Sequence, residues 1–225
     1  RIKMSAKISA VVFDMDGVIF DTERLSLECW KLLADREGLE GIEDVCKRCI
    51  GRTTPESIVI LREAYGEGLD VAGLRAELSA LMHKTIAERG MPIKTGVREI
   101  LDFLKESGVP IALASSTRYV TVTSQLGEAG FLDYFSVVVG GDMAEHGKPA
   151  PDIYLAACEK LGADPAEAIA VEDSYNGIRA AHAAGMKPVM VPDILPPDDE
   201  MREKAVHICR DLNEAREVIA EMLAQ

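Results

Sequence analysis

Short apolar runs alternate with longer segments of helical spacing along most of the chain, and the first run carries the most unusual ending. Residues 8–14 form an apolar, β-branched run that predicts a buried strand. The run ends at Asp14 and Asp16, and Gly17 follows with the conformational freedom of a tight turn. Unpaired acids beside a core are costly, so this ending indicates a metal or phosphate site. A plain strand-to-turn junction is the alternative.

The segment from residue 22 to residue 91 has helical patterns and no convincing strand. Apolar residues recur at helical spacing from Thr22 to Gly38, and Glu23 places an acid near the positive end of that helix. Further helices are predicted at 42–49, 55–65 and 70–89. This segment is therefore predicted to be an all-helical domain inserted directly behind the acidic strand end.

From residue 92 onwards the chain alternates between strand and helix patterns. Strands are predicted at 109–114, 137–139, 168–171 and 189–191, and helices at 97–107, up to about 127, 153–161, 177–184 and 212–223, with a surface loop at 192–200. Repeated units of apolar strand and helix predict a parallel sheet covered on both faces. The predicted fold class is α/β, with a Rossmann-like core (1–21 and 92–225) and a helical cap (22–91).

Polar side chains directly follow several of the predicted strands. These residues are Asp14, Asp16, Ser115, Asp142, Glu172 and Asp173. Ligands of parallel sheets bind beyond the carboxyl ends of the strands, so these side chains are predicted to share one site. Taken alone, Glu172 and Asp173 are equally interpreted as a helix cap, and Lys148 as a surface lysine.

The charge of the chain limits its partners. A net charge of −13 over 225 residues argues against nucleic acid and against an anionic membrane surface. An acidic protein that handles phosphate must build a local positive site, because a phosphate charge about 4 Å from a carboxylate is repelled by about 4 kcal/mol. Lys148 is one candidate cation. A divalent ion held by Asp14, Asp173 and, as a further candidate, Glu172 would supply two more charges.

Carboxylate ligands beside a phosphate are typical of Mg²⁺, which is the predicted cofactor. The hydroxyl of Ser115 and backbone N–H groups near Gly17 and Ser116 are candidates for binding phosphoryl oxygens.

Cysteine usage and hydropathy predict a cytoplasmic protein. The five cysteines are scattered and odd in number, as is typical of reduced thiols. Cys46 and Cys49 have C-x-x-C spacing without a second pair nearby, which favours two cysteines on one helix face over a zinc site. The sequence has neither a signal-peptide pattern nor an apolar run of about 18 residues. We expect a monomer that acts on a small phosphorylated metabolite.

Four short motifs resemble those of the haloacid-dehalogenase superfamily. The stretch 14–23 resembles its first motif, Ser115 after an apolar run its second, Lys148–Pro149 its third, and Glu172 and Asp173 with Gly177 its fourth. They occur in the right order. The helical segment also lies where the β-phosphoglucomutase-like subfamily has a small α-helical cap. The resemblance covers the chain from the first predicted strand to the fifth.

The resemblance implies a role for each motif. Asp14 would attack phosphorus to form an aspartyl-phosphate, and Asp16 would protonate the leaving oxygen and then activate water. The backbone carbonyl of Asp16 is a metal ligand in relatives, which adds Asp16 to Asp14, Glu172 and Asp173. Asp16 also argues against the dehalogenases and phosphonate-cleaving members, which lack it. Relatives often have a cis bond at the Lys148–Pro149 step.

Within this subfamily the sequence favours a phosphatase of a small metabolite, a sugar phosphate above all, over a mutase. The mutase has a histidine in the helix after the first motif, where this chain has Ser26. The cap positions that hold cations in the mutase fall at Ile50 and Thr54, although Arg52 lies nearby.

The sequence leaves two questions open: which residues contact the substrate, and whether the chain belongs to another functional class. Glu23, Arg52 and Arg118 are candidates for touching the substrate. A non-catalytic phosphometabolite-binding module or an acidic receiver-type regulatory domain is the alternative from another class. A receiver domain lacks both the helical block and the acid two residues after its phosphoacceptor.

Overall fold

The chain folds into two compact units in a computed structural model that describes residues 7–50, 52 and 54–225. One unit combines the described residues up to Phe20 with Ile93–Gln225, and the other is Asp21–Pro92. The described residues contain ten α-helices: α1 Thr22–Glu37, α2 Ile42–Cys49, α3 Thr54–Tyr65, α4 Val71–Arg89, α5 Val97–Glu106, α6 Tyr119–Ala129, α7 Asp152–Leu161, α8 Tyr175–Ala183, α9 Asp199–Lys204 and α10 Leu212–Leu223. The first four belong to the smaller unit.

The larger unit is built on a parallel sheet. In the described part of the chain its strands are β1 Ala10–Phe13, β2 Ile111–Ala114, β3 Val137–Val139, β4 Ala168–Glu172, β5 Lys187–Met190 and β6 His207–Ile208. Their order across the sheet is β3-β2-β1-β4-β5-β6, and the paired strands are all parallel. The α/β fold with a parallel sheet is therefore confirmed.

Strand β1 lies at the centre of the sheet. Phe13 pairs with Leu113 of β2 and with Val171 of β4, so the carboxyl ends of these three strands are level. Val11, Val12 and Phe13 have no exposed surface, as is usual for a strand covered on both faces. Each large apolar side chain buried in this way contributes about 1.5–3 kcal/mol. The acidic residues after β1 consequently emerge in the middle of one sheet edge.

The smaller unit has its own hydrophobic core. Its buried side chains are Trp30, Ala34, Ile42, Val45, Leu61, Val71 and Leu74. Helix α1 ends at Gly38, whose φ of 70° is the left-handed conformation that commonly ends a helix. Helix α4 begins with a side-chain cap, because Asp70 accepts the N–H of Gly73 at 3.0 Å. The four helices lie close to their predicted spans.

The end of the chain holds two elements that were not predicted. The predicted loop 192–200 ends early, since Asp198 accepts the N–H of Met201 at 2.8 Å and caps α9. Met201 is fully buried, which anchors this short helix. Strand β6 adds a sixth strand of two residues, too short to give a periodic signal. Among the described residues, no helix has the length and apolar content to cross a membrane.

Candidate active site

The loop after β1 carries Asp14 into the site. Asp14 is 8% exposed, and its N–H donates to the carbonyl oxygen of Val171 at 3.0 Å, which ties it to β4. Gly17 has a φ of 80°, and a Cβ there would lie 2.0 Å from Oδ2 of Asp173. The residue therefore allows Asp173 to approach the loop. The Gly17 N–H donates to the carbonyl oxygen of Phe20 at 2.8 Å, so a role of this loop's amides in phosphate binding stays a prediction.

Lys148 lies between two carboxylates. Its Nζ donates to Oδ1 of Asp14 at 3.1 Å, to Oε1 of Glu172 at 2.6 Å and to the carbonyl oxygen of Ala114 at 3.3 Å. The lysine side chain is 7% exposed, which excludes the surface-lysine interpretation. The Lys148–Pro149 bond is cis, as predicted. Residues from β1, β2, β4 and the loop before α7 thus meet at one point.

Burial and neighbouring charge shift the ionisation of this pair. Burial, followed by the charge of Glu172, raises the pKa of Asp14 to about 7, although Lys148 acts in the opposite direction. Burial alone would lower the pKa of Lys148, but the carboxylates of Asp14 and Glu172 outweigh it and leave that pKa raised. Lys148 therefore carries a fixed positive charge in the site.

Glu172 is held by donors on both of its carboxylate oxygens. Oε1 accepts from Lys148 and from the hydroxyl of Tyr154 at 2.5 Å, while Oε2 accepts from the N–H of Asp173 at 3.2 Å and from Oγ of Ser174 at 3.4 Å. A Cβ on Gly177 would lie 2.0 Å from Oε2, so only glycine leaves room for this carboxylate. Glu172, the last residue of β4, is therefore fixed by its donors and by the space that Gly177 leaves.

The acidic cluster suits a divalent cation. Asp14, Glu172 and Asp173 each offer a carboxylate oxygen, and these oxygens lie within 4.8 Å of one another. An all-oxygen donor set beside a lysine fits a hard ion such as Mg²⁺. Because Glu172 already accepts four hydrogen bonds, Asp14 and Asp173 are the side chains best placed to ligate it.

Asp16 and the residues after β2 form the second half of the site. Asp16 is partly exposed, and its Oδ2 accepts from the hydroxyl of Thr117 at 2.9 Å. Ser115 is fully buried, and its Oγ accepts the N–H of Thr117 at 3.1 Å. Ser116 is exposed. Thr117 was not singled out from the sequence, although its place two residues beyond Ser115 in the same polar run was a usable signal.

Asp142 follows β3 but has a different task from the one expected. Its Oδ1 accepts the N–H of Tyr119 at 2.7 Å, so it caps the first turn of α6. The ends of β1, β2 and β4 and the loop before α7 provide Asp14, Ser115, Glu172 and Lys148. Asp142 therefore has a structural contact in the described chain, and its membership of the site stays a prediction.

The remaining candidates lie in the smaller unit or outside the site. Glu23 is partly buried in the first turn of α1, and Arg52 is exposed with its guanidinium 3.8 Å from the carboxylate of Glu56. Their contact with a substrate stays a prediction. Burial raises the pKa of Cys46 to about 12, and Cys46 and Cys49 are free thiols on α2. The described residues therefore favour a helix-face pair there.

The carboxyl edge of the parallel sheet thus holds three carboxylates and a buried lysine. Residues 8–185 match the family described as haloacid dehalogenase-like hydrolase. The chain belongs to this family.

Relatives and solved structures agree over most of the chain. It is 35% identical to the phosphorylated carbohydrates phosphatase of Thermotoga maritima, over 80% of this chain and 83% of that protein. It is 33% identical to the β-phosphoglucomutase of Bacillus subtilis, over 80% of this chain and 81% of that protein. The crystal structure of a haloacid dehalogenase-like protein from Agrobacterium tumefaciens superposes with a TM-score of 0.81 at 26% identity, covering 97% of this chain and 100% of that one.

Proposed function

We propose that this chain is a Mg²⁺-dependent phosphatase that hydrolyses a small phosphorylated metabolite, with sugar phosphates as the substrate class. The observation that carries this proposal is the contact of 3.1 Å between Oδ1 of Asp14 and Nζ of Lys148, beside the carboxylates of Glu172 and Asp173. A carboxylate next to a fixed cation can approach an anionic ester. The similarity to a phosphatase of phosphorylated carbohydrates supports the substrate class.

In the first step, an oxygen of Asp14 attacks phosphorus and the bond from phosphorus to the ester oxygen breaks. Asp16 donates a proton to the leaving alkoxide, so the products are an alcohol and an aspartyl-phosphate. In the second step, Asp16 takes a proton from water, and the water oxygen attacks phosphorus. The bond from phosphorus to the oxygen of Asp14 breaks, which releases inorganic phosphate and restores the carboxylate of Asp14.

The other residues of the site stabilise the anionic groups. Lys148 would balance charge on the phosphoryl oxygens. We expect the hydroxyl of Ser115 and the backbone N–H of Ser116, which follow β2, to donate to these oxygens. Asp14 and Asp173, with the backbone carbonyl of Asp16, would hold Mg²⁺. The ion would supply two positive charges that offset the repulsion between Asp14 and the substrate.

The helical unit Asp21–Pro92 is assigned the role of a cap that selects the substrate. Glu23 and Arg52 of this unit, and Arg118 after β2, are the residues proposed to contact it. A monomer in the cytoplasm completes the proposal, and the free cysteines of the described chain support the compartment.

The test is a panel of phosphorylated sugars, nucleotides and small acids, assayed for release of inorganic phosphate with Mg²⁺ and with EDTA. We expect turnover that needs Mg²⁺ and that is fastest with phosphorylated sugars. Asp14→Asn should abolish this turnover. Turnover retained by Asp14→Asn would overturn the nucleophile assignment. A preference for nucleotides would overturn the substrate class.

A phosphosugar mutase is the second candidate, since the chain is similar to the β-phosphoglucomutase of Bacillus subtilis. Ser26 in place of the mutase histidine favours hydrolysis. The same panel separates the two reactions, because a mutase moves the phosphoryl group to another hydroxyl of the sugar and releases little inorganic phosphate.

A further inference from the structure

Tyr154 is a fully buried tyrosine of α7 beside the site, and no step described above uses it. Its hydroxyl donates to Oε1 of Glu172 at 2.5 Å. The ammonium of Lys148 lies 4.9 Å from the centre of its ring. The tyrosine therefore contacts both members of the ion pair between Lys148 and Glu172.

The position of Lys148 depends on Glu172. The lysine has a long flexible side chain, and its shortest contact is the one of 2.6 Å to Oε1 of Glu172. That same oxygen accepts the hydroxyl of Tyr154. With Oε2 held by Asp173 and Ser174, the tyrosine supplies the hydrogen bond that fixes the other end of the carboxylate.

Packing alone does not account for the hydroxyl. Phenylalanine would fill the same volume and keep a ring face toward the ammonium. A buried hydroxyl is costly unless it is paired, so its presence here is explained by the bond that it makes.

We propose that Tyr154 is a positioning residue, whose hydroxyl holds Glu172 so that Glu172 holds the ammonium of Lys148 against Asp14 and the phosphoryl group. This inference rests on the proposed function, in which Lys148 binds phosphoryl oxygens. Without the hydroxyl, Oε1 of Glu172 keeps the ammonium as its donor but loses its second restraint. The carboxylate can then turn, and the ammonium moves with it.

The test compares two single changes of the same chemistry. Tyr154→Phe removes the hydroxyl from Glu172, and Tyr134→Phe removes a hydroxyl that donates to Asp102 of α5. Tyr134 lies in the turn before β3, at the amino end of that strand, away from the site. Two quantities are measured with Mg²⁺ present: kcat/KM for p-nitrophenyl phosphate, and the Kd of inorganic phosphate by calorimetry.

We expect Tyr154→Phe to lower kcat/KM about tenfold and to weaken phosphate binding by a similar factor, with the fold intact by circular dichroism. Tyr134→Phe should stay within twofold of the wild type in both. Wild-type values for Tyr154→Phe, or equal losses in the two variants, would overturn the inference.

A second comparison separates positioning from a general structural effect. In a Glu172→Ala background the hydroxyl has lost its acceptor, so adding Tyr154→Phe should change kcat/KM by less than twofold. If the double variant shows the product of the two single losses in kcat/KM, Tyr154 does not act through Glu172. If Glu172→Ala fails to fold, the tyrosine pair alone decides.

The failure of the proposed function is recognised separately. A wild-type protein that binds inorganic phosphate but turns over no phosphate ester contradicts the phosphatase, while the phosphate Kd values still decide the role of Tyr154. A wild-type protein that neither binds phosphate nor turns over an ester contradicts both.

Discussion

At two positions beside the acidic cluster, the absence of a side chain matters as much as the functional groups do at others. Gly17 and Gly177 each lie where a Cβ would collide with a carboxylate, of Asp173 and Glu172 respectively. Asp173 and Glu172 can occupy their places because glycine has no Cβ at these two positions. The packing of the site thus depends on residues without side chains.

Replacing Gly17 by alanine should disrupt the acidic cluster. The new Cβ would lie 2.0 Å from Oδ2 of Asp173, and a φ of 80° is strained for alanine. We expect the Mg²⁺ concentration for half-maximal activity to rise at least about tenfold, because Asp173 must move. Gly185→Ala is the matched control, since Gly185 has a φ of 81° and a Cβ added there would meet no atom within 4 Å. Equal Mg²⁺ requirements in the two variants would contradict this role.

Thr117 should matter through Asp16. Its hydroxyl donates to Oδ2 of Asp16, so Thr117→Val leaves the acid without this restraint while keeping the shape of the side chain. We expect kcat to fall about tenfold, measured with p-nitrophenyl phosphate and Mg²⁺. Thr117→Ser keeps the hydroxyl and should retain most of the rate. A valine variant as active as the serine variant would argue against the contact.

At the scale of elements, the sequence was most informative where an apolar stripe extends over about two helical turns or more. Helices α2 and α10 match their predicted spans, because each has an apolar stripe and clear ends. Helix α9 and strand β6 were missed because six residues and two residues give no periodic signal. Strand β6 is held by its pairing with β5, and helix α9 by the cap at Asp198.

The cap of α10 gives a prediction at this scale. Asp211 accepts the N–H of Glu214 at 3.0 Å at the start of that helix. Asp211→Ala should lower the free energy of unfolding by about 1 kcal/mol, whereas Asp211→Asn should keep most of it. Denaturant unfolding measures both, and an alanine variant as stable as the asparagine variant would show that the cap contributes nothing.

At the scale of the whole molecule, the contacts that the sequence did not predict are those between distant parts of the chain. The edge of the sheet as a site, the nucleophile candidate and Lys148 were all predictable, because strand ends and motifs are local. The contacts of Tyr154 and Thr117 were not predictable, since they join residues 18 and 101 positions apart. Such contacts depend on how α7 and the loop after β2 pack on the sheet. The polar run that holds Thr117 could indicate only that this residue lies near the site, and not that it contacts Asp16.

The burial of Asp14 has a consequence for the stability of the metal-free protein. Its pKa rises from an ordinary 3.8 to about 7, first through burial and then through Glu172. The folded state therefore binds a proton that the unfolded state has released, and this contribution is complete below pH 4 and is lost as pH rises through about 7. In EDTA, Asp14→Asn should be more stable than the wild type at pH 8 by on the order of a few kcal/mol, with the gap closing towards pH 4.

Thermal unfolding in EDTA across this pH range checks that expectation. Added Mg²⁺ should raise the melting temperature of the wild type at pH 8 more than that of Asp14→Asn, since a ligand that binds only the folded state stabilises it. A gap between the two proteins that does not change with pH would contradict the effect of burial on Asp14.

The proposed mechanism requires that the carboxylate of Asp14 become covalently phosphorylated during turnover. The most direct measurement is rapid acid quenching of the enzyme with Mg²⁺ and a phosphorylated sugar that it turns over, followed by peptide mass spectrometry. We predict the mass of one added phosphoryl group on the peptide that contains Asp14, and its absence in Asp14→Asn. Full turnover without this adduct, or the adduct on another residue, would show that Asp14 is not the nucleophile.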